Sequence, residues 1–280
     1  MRRLILNGDD FGLTSGVNRA IVELQRAGAV TSATLMARGA AVAEAIELKR
    51  ATPTLGVGCH VVLVDGEPVL STRKEIPHLA DPATGRFHSS LSGFLQRHLS
   101  GRIPAAEIVA EAAAQIALLQ AKGLQLTHID THKHVHIFPA VLRPVLRAAR
   151  AAGIGAVRNP FEPAWSVRAT AHASAIRRMQ VRLLRLLEPA FRRIVAEEGF
   201  VTTDGALGVA ATGSLDEAAL SSLLERMPEG TWELVTHPGY NDADLAKART
   251  RLTESREIER EALAAIDWGK SIERIDYSRL

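Results

Sequence analysis

The chain has one cysteine, Cys59, and two tyrosines, and aromatic residues make up only 4% of its 280 positions. A lone cysteine excludes an intramolecular disulfide and fits a reducing compartment. Scarce aromatics leave no stacking platform, so nucleic acid is not an expected partner. No apolar run approaches the roughly 20 residues of a membrane span. The run before Asn7, Leu4 to Leu6, is too short for a signal-peptide core, so a cytoplasmic chain is expected. Net charge is also slight, at +3, although between Val167 and Arg193 seven arginines face a single acid, Glu188. What remains is ordinary globular composition, 46% hydrophobic and 23% charged, at a length suited to one large α/β domain or two small ones.

Short β-like runs alternate with helical patterns, which predicts repeated βα units around a largely parallel sheet. Strands are expected to end at Asn7 and to span 30–36, 55–64, 124–129, 155–158, 208–210, 232–236 and 272–277. Helices are expected from Ser15, as N-cap, to Ala27, and over 41–50, 104–122, 139–152, 216–227 and 254–266. Two excursions interrupt this rhythm, at about 65–103 and 160–199. The first is rich in glycine and proline and follows a candidate site strand, as a substrate-covering lobe would. The second holds an amphipathic stretch, 175–196, in which Ile176, Met179, Leu183, Leu184, Leu186 and Leu187 sit among arginines and Pro189 breaks or kinks the helix. Its apolar face could pack on the body of the protein, meet a second copy in a homodimer, or lie in a membrane interface. Seven or so βα steps predict a distorted β/α barrel of the TIM-barrel type over 1–280, with its site at the C-terminal ends of the strands.

Four clusters carry chemistry. Asp9 and Asp10, bracketed by Gly8 and Gly12, are adjacent carboxylates at the end of the first strand, and a shared cation is the simplest reason for that repulsive pairing. His60 lies in the third strand. Alone it reads as a core histidine, but its place on a neighbouring site strand favours a ligand. Four histidines fall between His128 and His136. As a strand, the tract aligns His128, Asp130, His132, His134 and His136 on one face; as a helix, it sets His128 and His132 one turn apart. His237 is followed by Pro238 and Gly239, which stop the strand and leave the imidazole at the rim, suited to protonating a leaving group. One difficulty attends the first cluster: neighbours in a regular strand point to opposite faces. Asp9 and Asp10 can share a site only if the strand ends or twists near Gly8.

Asn-Gly-Asp-Asp-Phe-Gly (7–12), Gly-Cys-His (58–60), His-Ile-Asp-Thr-His-Lys-His-Val-His (128–136) and Thr-His-Pro-Gly-Tyr (236–240) resemble the YdjC-like carbohydrate deacetylases in order and spacing over nearly the whole chain. The runs at 62–70 and 157–163 are similar to the hopanoid-biosynthesis-associated branch. The resemblance implies a TIM-barrel-like fold and metal-dependent hydrolysis of an N-acetyl group on an amino sugar, with an N-acetylglucosaminyl hopanoid as the lipid-linked substrate. It implies Asp10, His60 and His132 as metal ligands, Asp9 as the base and His237 as the acid. His128, His134 and His136 are then expected to support the ligands from behind or to contact the substrate, and Arg158 to contact the substrate. Gly8 replaces the family's more usual alanine, a change expected only to loosen the turn. Magnesium is the metal often assigned in the family, whereas a His₂-carboxylate set suits zinc. A lipid-linked substrate would place the protein peripherally at the inner membrane surface, with 175–196 as the contact. Rival readings are a chito-oligosaccharide deacetylase, a metal-dependent phosphoesterase with a second ion, a non-catalytic carrier and, weakly, Cys59 as a nucleophile.

Overall fold

Strand β1 (Arg2–Phe11) is the axis of the sheet, and its ten residues are almost all buried. Around it run β2 (Ser32–Leu35), β3 (Gly56–Val61), β6 (Ile129–Thr131), β7 (Gly205–Leu207), β8 (Gly230–Thr236) and β9 (Ile272–Ile275), while β4 (Ala80–Asp81) and β5 (Arg86–Phe87) form a separate hairpin. The computed structural model describes residues 1–170, 174–269 and 271–280. The sheet order is β6-β3-β2-β1-β8-β7, and every pair in it is parallel. Strand β9 lies beside Arg2 to Ile5 of β1, and β2 takes over beside Asn7 to Phe11. Thr31 joins the two, donating from Oγ1 to the Ile275 carbonyl at 2.6 Å and from its N–H to Leu6.

The curl continues past β6 through isolated bridges, Ile129 to Val157 and Ala156 to Val201. The Ala206 N–H of β7 then reaches the Phe161 carbonyl at 3.0 Å. The result is an α/β, barrel-like sheet whose strands all deliver their C-terminal ends to one rim. Helices Ser15–Arg26, Ala105–Gln120, Pro139–Ala151 and Glu254–Ala265 pack around it, and one apolar cluster runs from Leu4 to Ile272.

Several boundaries differ from expectation. The first strand continues to Phe11 rather than ending at Asn7. Thr14, not Ser15, caps the following helix, accepting from the Val17 N–H at 3.2 Å. The strand expected over 124–129 begins only at Ile129, and that over 155–158 reduces to the two bridges. The strand expected at 208–210 lies three residues earlier, at 205–207, because the apolar run Gly205 to Ala211 carries no local mark of register.

The first excursion holds the β4–β5 hairpin and helix Leu91–Leu99. Buried Glu111 and Glu107 fasten it to helix Ala105–Gln120, accepting from the backbone N–H groups of Val69, Leu70, His78 and Leu79 at 2.8–3.0 Å. The second holds helices Ala164–Ala169, Ala175–Leu184 and Glu188–Glu197, the last two separated by a 3₁₀ turn at Arg185–Leu187. The expected break near Pro189 thus comes just before it, and Pro189 sits in the first turn of the next helix, where its missing N–H costs nothing. No helix among the described residues is long and apolar enough to cross a membrane.

Candidate metal and catalytic site

The difficulty with Asp9 and Asp10 is resolved by a bend within β1. Its register against β2 shifts between Gly8 and Phe11, and Asp10 takes a left-handed conformation with φ 64°. Aspartate tolerates that region better than most residues, at a cost of about 1–3 kcal/mol. The bend lets both carboxylates face the rim. Gly8 is part of the ladder, paired with Ala33 and Thr236, and a Cβ there would lie 3.0 Å from Ile21 Cγ1. Its lack of a side chain therefore relieves packing against Ile21, where a looser turn was expected.

Three ligand atoms converge at this rim. Asp10 Oδ1 lies 3.5 Å from His60 Nε2 and 3.4 Å from His132 Nδ1, and the two imidazole nitrogens are 3.3 Å apart. Asp10 Oδ1 is buried and accepts no hydrogen bond, while Oδ2 accepts from Arg256 Nη2 at 2.5 Å. A buried carboxylate oxygen without a hydrogen bond, facing two imidazole nitrogens, fits a divalent cation. Burial works against ionisation of Asp10, but Arg256 and the imidazoles outweigh it and hold the carboxyl well below the usual range.

The β3–β6 register sets His60 opposite Asp130, so its Nδ1 donates to both Asp130 oxygens, at 2.8 and 2.9 Å, and Nε2 is aimed at the ligand cluster. Burial would lower the His60 pKa, yet Asp130, Asp9 and Asp10 together raise it to about 9. A cation held by Nε2 would therefore displace a proton from His60 at neutral pH. Apparent metal affinity is expected to rise about tenfold per pH unit up to about pH 9, with close to one proton released per ion bound. Calorimetric titration in buffers of different ionisation enthalpy measures that proton; a heat independent of buffer would refute the assignment of His60.

Behind this cluster lies a second layer. Arg158 is fully buried and spends its guanidinium on three carboxylates. It donates to Asp9 at 2.6 and 2.9 Å, to Glu233 at 2.8 Å from Nε, and to Asp130, and its Nη2 lies in ion-pair contact 2.7 Å from Glu233. Fully buried and engaged by three carboxylates, the guanidinium is not presented to a sugar. The expected substrate contact of Arg158 thus gives way to a structural one: it neutralises and orients Asp9 and Asp130. Asp9, Asp130 and His60 form a second grouping of ligand type, but Arg158 already serves both of its carboxylates.

The remaining histidines divide. Lys133 and His134 have φ of 57° and 52°, so the tract is neither strand nor helix but a sharp turn after β6. That turn sends His132 to the ligand cluster and folds His136 back, its Nδ1 2.7 Å from Thr131 Oγ1 and its Nε2 3.2 Å from the Arg158 carbonyl. His128 lies on the inner side of the sheet, stacked on Tyr277 with centroids 3.8 Å apart. It fills the space where a Cβ on Gly58 would approach to 2.5 Å, which is why that position takes glycine. Burial lowers His128 to about 3 and His136 to about 4, so both are neutral. Both are wholly buried and hold the scaffold, His136 through Thr131 and the Arg158 carbonyl, so of the two roles expected of them the supporting one fits their positions. His134 is half-buried beside His136 and contributes no ligand to the cluster.

His237 follows β8, and its Nε2 stands 3.7 Å from Asp9 Oδ2. Its backbone N–H donates to Glu259 Oε2 at 2.6 Å. Burial lowers the imidazole to about 4, making it neutral at rest, and raises Glu259 to about 7. Arg256 and Glu259 both come from helix Glu254–Ala265, and neither they nor Glu233 stood out as site residues in the sequence, where Asp130 figured only as a member of the histidine tract. Cys59 is buried on the opposite face of β3, and burial raises its thiol, so it offers no nucleophile. A cleft of about 510 Å³ opens on Asp10 and His132 and is walled by Leu13, Met36 and Val62 and by Asp65, Glu67 and Arg86 of the first excursion and the segment leading into it.

Several known proteins are similar to this chain. A carbohydrate deacetylase of Brevibacillus brevis is 47% identical over 147 residues, 52% of this chain and 55% of that protein. A chitooligosaccharide deacetylase of Salmonella schwarzengrund is 41% identical over 155 residues, 55% of this chain and 58% of that one. The aligned stretch thus spans a little over half the length of these relatives. Among solved structures, a protein of Enterococcus faecalis described as a cellobiose-phosphate cleavage protein superposes with a TM-score of 0.78 at 26% identity, covering 99% of this chain and 98% of its own. The lactam utilization protein of Thermus thermophilus shares the fold alone, with a TM-score of 0.51 at 16% identity. The family described as YdjC-like protein matches residues 3–274, and the chain belongs to it.

Proposed function

We propose that this chain, acting as one unit over 1–280, is a metal-dependent carbohydrate N-deacetylase whose acceptor is an amino sugar, in the finer reading the N-acetylglucosaminyl group of a hopanoid. The observation that carries the reaction is the convergence of Asp10 Oδ1, His60 Nε2 and His132 Nδ1 within 3.5 Å, beside the Asp9–His237 pair. Names of the relatives that match half of the chain support the same reaction class.

Asp10, His60 and His132 would hold one divalent ion and leave positions open. When bound, such an ion polarises an acyl oxygen and lowers the pKa of water. The rest belongs to side chains. Asp9 accepts a proton from the attacking water, held in place by Arg158, Asn7 and Thr34. His237 is neutral at rest, so it must gain a proton before it can act as an acid. Asp9 Oδ2, 3.7 Å from its Nε2, is the near source. The proton then passes from His237 to the departing nitrogen, and acetate and a free amine leave.

A phosphoesterase with two ions is disfavoured, because Arg158 already engages the place a second ion would need. The acceptor is tested by incubating the metal-loaded protein with N-acetylglucosaminyl-bacteriohopanetetrol and with N-acetyl-chitobiose and measuring acetate. Faster release from the hopanoid is the expected result. Release from chitobiose alone would move the assignment to chito-oligosaccharides, and release from neither would overturn the deacetylase reading.

A further inference from the structure

Helix Ala175–Leu184 is turned inside out. A surface helix normally buries its apolar stripe and shows its charges. Here Val181 is the one buried residue, packed with Ala210 against Val167 and Val209. On a helix turning about 100° per residue, Ile176, Met179 and Leu183 lie on the side opposite Val181. They are 72%, 64% and 59% exposed, and Leu186 in the next turn is 78% exposed. Of the large apolar side chains that the described residues leave exposed, half lie between Ile176 and Leu186. Nothing among the described residues covers them.

Charge decides what could. From Ala175 to Arg193 the arginines are 177, 178, 182, 185, 192 and 193, and the only acid is Glu188. Glu188 is already engaged by Arg185 at 3.4 Å and Arg192 at 2.9 Å. A second copy docked on this face about a two-fold axis would set arginines against arginines. An apolar strip bordered by cations suits a surface that is oily within and anionic at its rim.

Position adds a second argument. Arg177 Nη2 donates to the Val209 carbonyl at 3.2 Å, and Val209 and Ala210 lie in the loop leaving the C-terminal end of β7. All strands of the sheet are parallel, so this is the end that carries Asp10, His60 and His237. The inverted helix and the catalytic rim share one end of the barrel.

We infer that Ile176, Met179, Leu183 and Leu186, bordered by Arg177 and Arg182, form a docking surface for an anionic lipid bilayer. It brings the catalytic end of the barrel to the membrane, and for its purpose, though not its evidence, it rests on the lipid-linked acceptor proposed above. The test uses the full chain with phosphatidylglycerol-containing vesicles and pure phosphatidylcholine vesicles, without any sugar present. Binding to the anionic vesicles that weakens with salt is expected, with little to phosphatidylcholine. Met179→Asp with Leu183→Asp is expected to weaken it by at least about tenfold, and Arg177→Gln with Arg182→Gln by about fivefold per charge. Turnover of soluble N-acetyl-chitobiose is expected to be unchanged in both variants, which separates a failure of this surface from a failure of the deacetylase reading. Absence of vesicle binding, or equal binding by both variants, would overturn the inference. So would a wild-type dimer in sedimentation equilibrium that the aspartate variant dissociates, because a second copy would then be the occupant.

Discussion

His132→Ala is expected to abolish stoichiometric binding of the divalent ion and to lower kcat/KM by about a thousandfold or more, about 4 kcal/mol of lost transition-state stabilisation. The fold should stay intact. His132 is only partly buried, and among the described residues the polar contacts of its side chain are with Asp10 and His60 of the ligand cluster. A stability change within about 1 kcal/mol is therefore expected. The other two ligands are less clean to test. Asp10→Ala leaves the buried Arg256 guanidinium without its carboxylate, a loss of about 3–5 kcal/mol. His60→Ala removes a partner of buried Asp130. Calorimetric titration of His132→Ala with zinc and with magnesium, beside acetate release and a thermal melt, separates loss of the ion from loss of the fold. A variant that kept full turnover without bound metal would remove His132 from the ligand set.

The parts of this site that the sequence made legible are those written locally. Asp9 and Asp10 stand at the end of an apolar run, and His237 is followed by Pro-Gly; strand ends of this kind are where a parallel sheet presents its chemistry. The βα rhythm likewise made the fold class legible, because period and turn residues repeat along the chain. The histidine tract was misleading because both regular conformations were plausible for it. The left-handed backbone at Lys133 and His134 lies within a turn closed by Thr131, whose Oγ1 accepts from the His136 N–H at 3.0 Å. Nothing in the local pattern announces it. Arg256 and Glu259 were hidden differently. They share a helix face with Ala262 and Leu263, all buried, and a charge at i and i+3 on an otherwise apolar face was the available signal. Their partners, Asp10 and the His237 backbone, lie far off in sequence. Arg158 shows the same limit from the other side. The resemblance set it near the substrate, and only the three-dimensional meeting of Asp9, Asp130 and Glu233 reveals that its guanidinium is engaged within the protein.

Asp9→Asn is expected to leave one ion bound per chain while lowering kcat by about 10²–10⁴. The pKa of Asp9 sharpens that expectation. Burial raises it, but Arg158, His60 and His237 outweigh burial and hold the carboxyl far below its ordinary range. Such a carboxylate stays ionised through the working pH range and gives activity no acid limb of its own. It is a weak acceptor, fit to take a proton only in passing, which is why His237 must stand close enough to receive it. Asparagine keeps one oxygen, able to accept from Arg158, Asn7 and Thr34 as Oδ1 does now. Its amide nitrogen would replace Oδ2 and face Arg158 Nη1, a mismatch of donors costing about 1–3 kcal/mol of stability. The fold should survive this, because Arg158 retains Asp130 and Glu233. Metal content, thermal stability and single-turnover acetate release measured on the same preparation decide the matter. If Asp9→Asn binds its ion and turns over at nearly the wild-type rate, Asp9 is not the base. Neutral His237 would then be the group that takes the proton from water directly.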